Sequence, residues 1–92
     1  MDQQAIHAWI SGKVQGVYYR ASTAKRAKAL ALTGWVKNLE DGRVELFAQG
    51  PEVQLDKLLT WCEHGPVLAK VASVDKQIAE LDQQLVGFEV RR

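Results

Sequence analysis

Little in this chain of 92 residues lends itself to stapling by disulfides or metals, or to insertion in a membrane. Cys62 is the only cysteine, which excludes an intrachain disulfide and a zinc site built on several thiolates. His7 and His64 stand far apart, with no cysteine or carboxylate at ligand spacing, so no metal is expected. No apolar run approaches the roughly 20 residues that span a bilayer, and the opening Met-Asp-Gln-Gln-Ala lacks the basic and apolar segments of a secretion signal. A soluble, cytoplasmic protein is the expectation. Charge of one sign is also scarce: 12 Lys and Arg against 11 Asp and Glu leave a net charge of +1, too little to draw nucleic acid or membrane nonspecifically. Repeats, low-complexity tracts and Pro/Gly-rich linkers are missing too. With 47% apolar and 25% charged residues, the composition is that of a single globular domain over residues 1–92 with one modest core.

What is present reads as β-α-β-β-α-β. Residues 5–12 set Ile6, Ala8 and Ile10 against His7, Trp9 and Ser11, the period of two that marks a strand with distinct faces. Residues 21–32 space Ala21, Ala24, Ala27, Leu30 and Ala31 as a helix, with Lys25, Arg26 and Lys28 on the solvated side and Gly34 as a left-handed stop. Residues 35–39 and 43–49 predict a hairpin around Glu40-Asp41-Gly42. Leu55, Leu58, Leu59 and Cys62 predict a second helix over 51–63, opened by Pro51 and closed by Gly65-Pro66. Strands are expected over 67–79 and 86–91. The order implies an α+β, ferredoxin-like split β-α-β sandwich: a four- to five-stranded, mostly antiparallel sheet with both helices on one face.

The segment from Ile10 to Arg20 carries the chemistry. A strand runs into two glycines, Gly12 and Gly16, and then into an arginine where a helix begins. Glycines let the backbone turn so that N–H groups converge, the helix start adds unpaired N–H donors and a positive dipole end, and Arg20 offers a planar fork suited to phosphate. Taken singly these features are ordinary: a turn, a surface arginine, and in Asn38 a strand-end residue. The Gly-Lys-Ser/Thr sequence of a nucleotide P-loop is absent.

Taken together they match a known family. Gly12-Lys13-Val14-Gln15-Gly16-Val17-Tyr18-Tyr19-Arg20 resembles the first acylphosphatase signature. Gly34-Trp35-Val36-Lys37-Asn38, followed by Gly42, Val44 and Gly50, resembles the second, in order and at the right separation. Gly65-Pro66, the valines beyond it and the Phe88-Glu89-Val90-Arg91 ending extend the resemblance over nearly the whole chain. Two positions depart from the pattern: Tyr19 stands where the family usually has Phe, and Tyr18 occupies a variable, often small position at the site mouth.

The resemblance implies hydrolysis of acyl phosphates, the carboxyl-phosphate mixed anhydrides, to a carboxylate and inorganic phosphate. It implies that Arg20 binds the phosphoryl oxygens, that backbone N–H groups of Gln15, Gly16, Val17, Tyr18, Tyr19 and Arg20 complete the phosphate-binding loop, and that Asn38 holds the attacking water. Arg20 and Asn38 would be the catalytic pair, without cofactor or metal, in a monomer acting on a small molecule. The residues fit that chemistry, since the signatures contain no His, Cys, Asp or Glu at a matched position to serve as strong acid, base or nucleophile. Such a site suits a bond that is already labile, whose carboxylate leaves without a proton.

A nucleic-acid module is the rival from another class, because ferredoxin-like sheets also present aromatic residues to bases, and Trp9 and Phe47 are placed for that. Residues 43–49, Arg-Val-Glu-Leu-Phe-Ala-Gln, lack the basic, Gly-rich, doubly aromatic strand it requires. Cys62 is expected as a small core residue, His7 on a sheet face, His64 at a helix end, and Arg91-Arg92 as a solvated chain end.

Overall fold

The computed structural model describes residues 3–91. The elements run β1 (Gln3–Lys13), α1 (Tyr19–Ala29), β2 (Thr33–Asn38), β3 (Val44–Pro51), α2 (Glu52–His64), β4 (Lys70–Ala79) and β5 (Phe88–Arg91). The sheet order is β4-β1-β3-β2-β5, antiparallel throughout except that β5 lies parallel to β2. This is the ferredoxin-like α+β arrangement with five strands.

The alternation in β1 sorts its side chains as expected. Ile6, Ala8 and Ile10 are buried, and with Val36, Val44, Leu46 and Ala48 they meet Ala24 and Ala27 of α1 and Leu55, Leu58 and Cys62 of α2 in one core. His7, Trp9, Trp35 and Phe47 project from the opposite face and cover one another: His7 stacks on Trp9 at 4.2 Å between centroids, and Trp35 on Phe47 at 6.1 Å. Small alanines on α1 let that helix lie close to the sheet.

Both ends of α1 differ from the expected 21–32. The helix begins at Tyr19, so Tyr19, Thr23, Ala24 and Ala27 are its buried residues, whereas Ala21 and Ala31 are exposed. It stops at Ala29, five residues before Gly34. Ala31 takes the left-handed conformation (φ 59°), and the Leu32 N–H bonds to the Ala27 carbonyl while the Ala31 N–H bonds to that of Lys28. That is the reciprocal pairing by which a helix satisfies its last carbonyls, here built on alanine. Gly34 belongs instead to β2 (φ 152°), where the Phe47 carbonyl occupies the space a Cβ would need.

The remaining boundaries are close to expectation. Asp41 closes the hairpin by accepting from the Arg43 backbone N–H at 3.0 Å and from its Nε at 2.8 Å, contacts that hold the Asp41 carboxyl below its usual range, the backbone bond foremost. β4 begins at Lys70 rather than 67, and Val67 is 99% exposed. At the sheet edge β4 pairs only with β1, so its valines see half a core.

Candidate active site

Five residues, Val14 to Tyr18, connect β1 to α1. The turn is made by Gly16 at φ 74° and Tyr18 at φ 62°, both left-handed, and Tyr18 is the residue from which α1 springs. No side chain caps this helix start, and no acidic residue occupies its first turn. The first N–H groups of α1 and the positive end of its dipole are therefore uncompensated.

A cleft of about 350 Å³ opens at this point. Gly16, Tyr18, Tyr19 and Arg20 line it from the connection and the helix start, and Asn38 lines it from the end of β2. The structure thus brings Arg20 and Asn38 into one cleft. Gln15 and Val17 do not line it: Val17 is buried in the core, and Gln15 turns its side chain away to donate from Nε2 to the carbonyls of Leu39 (2.7 Å) and Arg43 (2.9 Å). That clamp ties the connection to the base of the hairpin and so sets the distance between the loop and Asn38.

Arg20 is fixed by the far end of the chain. Its Nη1 donates to the Arg91 carbonyl at 2.8 Å, and Arg91 sits opposite Lys37 in the parallel β2/β5 pair, one residue from Asn38. Arg91 is therefore not a loose terminus; its guanidinium also lies over the Trp35 ring at 5.0 Å. Arg92 lies outside the described residues. Asn38 offers the more telling detail, because its Oδ1 is buried and makes no hydrogen bond among the described residues. An unpaired buried acceptor costs about 1–3 kcal/mol, which a bound water donating to it offsets.

Tyr19 supports the site from behind. Its ring is buried against Gly65 and Trp61, and its hydroxyl donates to the Cys62 carbonyl at 2.7 Å, tying the start of α1 to the end of α2. The buried Tyr19 hydroxyl thus has a partner. Burial raises the Tyr19 pKa well above the ordinary phenol range, with the neighbouring Cys62 adding to the effect. Burial likewise pushes the Cys62 thiol up to about 12, so it packs as a small apolar group.

Sequence reasoning did not find the Gln15 clamp, the Arg20–Arg91 bond, or Val14, Ala21 and Val90 as further cleft residues. The Phe88-Glu89-Val90-Arg91 match was the signal that pointed to the last strand. Among the described residues no group of three or more His, Cys, Asp or Glu is placed to hold a metal, and no helix is long and apolar enough to cross a membrane.

The sequence profile of the acylphosphatase family matches residues 6–90. The chain belongs to the acylphosphatase family. That membership makes it a hydrolase. An acylphosphatase of Methylococcus capsulatus is 48% identical over 95% of this chain and 95% of its own. Among solved structures, an acylphosphatase from Coxiella burnetii superposes with a TM-score of 0.93 at 42% identity, covering 98% of this chain and 94% of the other. The acylphosphatase from Bacillus subtilis superposes with a TM-score of 0.92 at 30% identity, covering 97% and 99%.

Proposed function

We propose that this member of the family hydrolyses acyl phosphates by direct attack of a water molecule held by Asn38 on a phosphoryl group held by Arg20 and the Gln15–Arg20 backbone. The observation that carries the reading is the juxtaposition in one cleft of a tethered arginine and a buried, unpaired Asn38 Oδ1. A water donating one proton to that oxygen keeps its lone pairs for phosphorus. Asn38 Nδ2 can at the same time donate to a phosphoryl oxygen.

As the water oxygen bonds to phosphorus, the bond from phosphorus to the acyl oxygen breaks and the carboxylate leaves with the electron pair. The water proton passes to a phosphoryl oxygen, because Asn38 is far too weak a base to take it. Arg20 and the uncapped helix start stabilise charge on the phosphoryl oxygens as the transition state forms. Orientation and electrostatics are then the whole of the catalysis, and they suffice when the leaving group needs no proton. Alkyl phosphates, whose alkoxide leaves only with help from an acid, should be spared. The reaction as drawn uses no metal or cofactor, takes a small molecule rather than nucleic acid, and suits a monomer in the cytoplasm.

The experiment is steady-state hydrolysis of benzoyl phosphate by the wild-type chain and by Asn38→Ala. Turnover in the variant should fall by about a hundredfold or more, since the water loses its position, while the inhibition constant of inorganic phosphate moves far less. Equal losses in both would make Asn38 a phosphate ligand. Phosphate binding without turnover in the wild type would make the chain a sensor rather than an enzyme.

A further inference from the structure

The lip of the cleft differs in character from its floor. Arg20, Asn38 and the backbone at Gly16 are polar, whereas Tyr18 and Val90 line the same cleft while remaining 78% and 48% exposed. A ring left that open gains little from folding. Tyr18 also occupies a left-handed conformation, φ 62° and ψ 21°, which glycine enters freely and a residue with a Cβ enters at a cost. Neither packing nor the turn accounts for a large aromatic at this position.

The reaction geometry does account for it. In an in-line displacement the leaving group lies opposite the attacking water. With that water on Asn38 and the phosphoryl group on the floor, the acyl group is directed away from Asn38 and out across the lip. Resting on the acyl phosphate reading above, we propose that Tyr18 and Val90 form an apolar lip that receives the acyl group. The lip biases the site toward acyl phosphates with a planar or apolar acyl group over small ones. An aromatic acyl group meets the Tyr18 ring face to face or edge on, and covers apolar surface that is otherwise wet. An acetyl group offers little apolar surface for it to cover.

The test compares kcat/KM for benzoyl phosphate and acetyl phosphate in the wild type, Tyr18→Phe and Tyr18→Gly. Glycine suits the left-handed backbone and keeps the N–H, so the floor survives. The benzoyl-to-acetyl ratio should fall about tenfold in Tyr18→Gly, chiefly through KM, and persist in Tyr18→Phe, which retains the ring. Should Tyr18→Gly fail to fold by circular dichroism, Tyr18→Asn, which also tolerates this conformation, carries the same expectation. A ratio that stays constant across the series, with both substrates turned over, would overturn this inference alone. Failure of the wild type to hydrolyse either anhydride would overturn the reading of the reaction and the lip with it.

Discussion

The chain passes twice from a strand into a helix, and the two passages are built in opposite ways. β1 reaches α1 through Val14–Tyr18, with two left-handed residues, no side-chain cap and no acid in the first turn. β3 passes into α2 directly at Pro51, whose extended backbone (φ −62°, ψ 141°) needs no special turn, and Glu52 lies in the first turn with Gln4 donating to its carboxylate at 2.8 Å. At α2 the helix dipole is already answered by the chain's own negative charge. At α1 it is left open beside Arg20 and Asn38. One fold thus repeats a unit: neither helix start carries a side-chain cap, and α1 differs in having no acid in its first turn, the condition that favours an anion.

Removing the charge that completes the open passage should have the largest effect. Arg20→Gln should cut kcat/KM for benzoyl phosphate by about a hundredfold or more, since each charge-assisted bond to phosphate is worth about 1.5–3 kcal/mol and the fork makes more than one. Arg20→Lys should recover little, because a point charge does not reproduce the fork. A folded Arg20→Gln with near-normal activity would erase the contrast between the passages.

Making the first passage resemble the second should have the next largest effect. Ala21→Glu places a carboxylate in the first turn of α1, at a residue that lines the cleft. Phosphate affinity should drop about tenfold through like-charge repulsion, while thermal stability holds or rises slightly because the acid complements the dipole. The mirror change, Glu52→Gln, should cost about 0.3–1 kcal/mol of stability and leave turnover alone. Matched effects of the two substitutions on turnover would show that the helix starts are not distinct.

The smallest effect concerns the link from the first passage to the far end of α2. Tyr19→Phe keeps the ring and loses the bond to the Cys62 carbonyl, a loss of about 0.5–1.5 kcal/mol readable in the midpoint of denaturant unfolding. The Cys62 thiol, raised from 9.0 to about 12 by burial, adds stability that is fully present below the unfolded value and is lost as pH rises toward 12. Thiol alkylation at pH 8 should therefore await unfolding. Rapid labelling of the native chain would show that Cys62 is not held as described.

Architecture and the pairing of Arg20 with Asn38 were legible because both rest on local signals. β1 alternates, α2 shows its leucines at helical spacing, and the two motifs fall at strand ends that the topology brings together. What was not legible depended on contacts far apart in sequence or on backbone choices that residue types do not dictate. The sequence pattern starts α1 two residues late because a tyrosine, not a glycine, takes the left-handed position before it. The sequence runs the helix on to residue 32 with Gly34 as its stop, because alanine rarely stops a helix as Ala31 does. The Arg91 carbonyl that holds Arg20 is contributed by a backbone atom 71 residues away, which no side-chain pattern announces.

The contrast between the two passages can be read in one titration. Inorganic phosphate is added to the 15N-labelled chain, and backbone amide shifts are followed residue by residue. The shifts should concentrate on Gln15 to Arg20, joined by the side-chain amide of Asn38, while Glu52, Val53 and Gln54 at the start of α2 stay still. Shifts centred on α2, or an unmoved set of amides between Gln15 and Arg20 at phosphate concentrations that inhibit turnover, would contradict the claim that the open passage is the anion site.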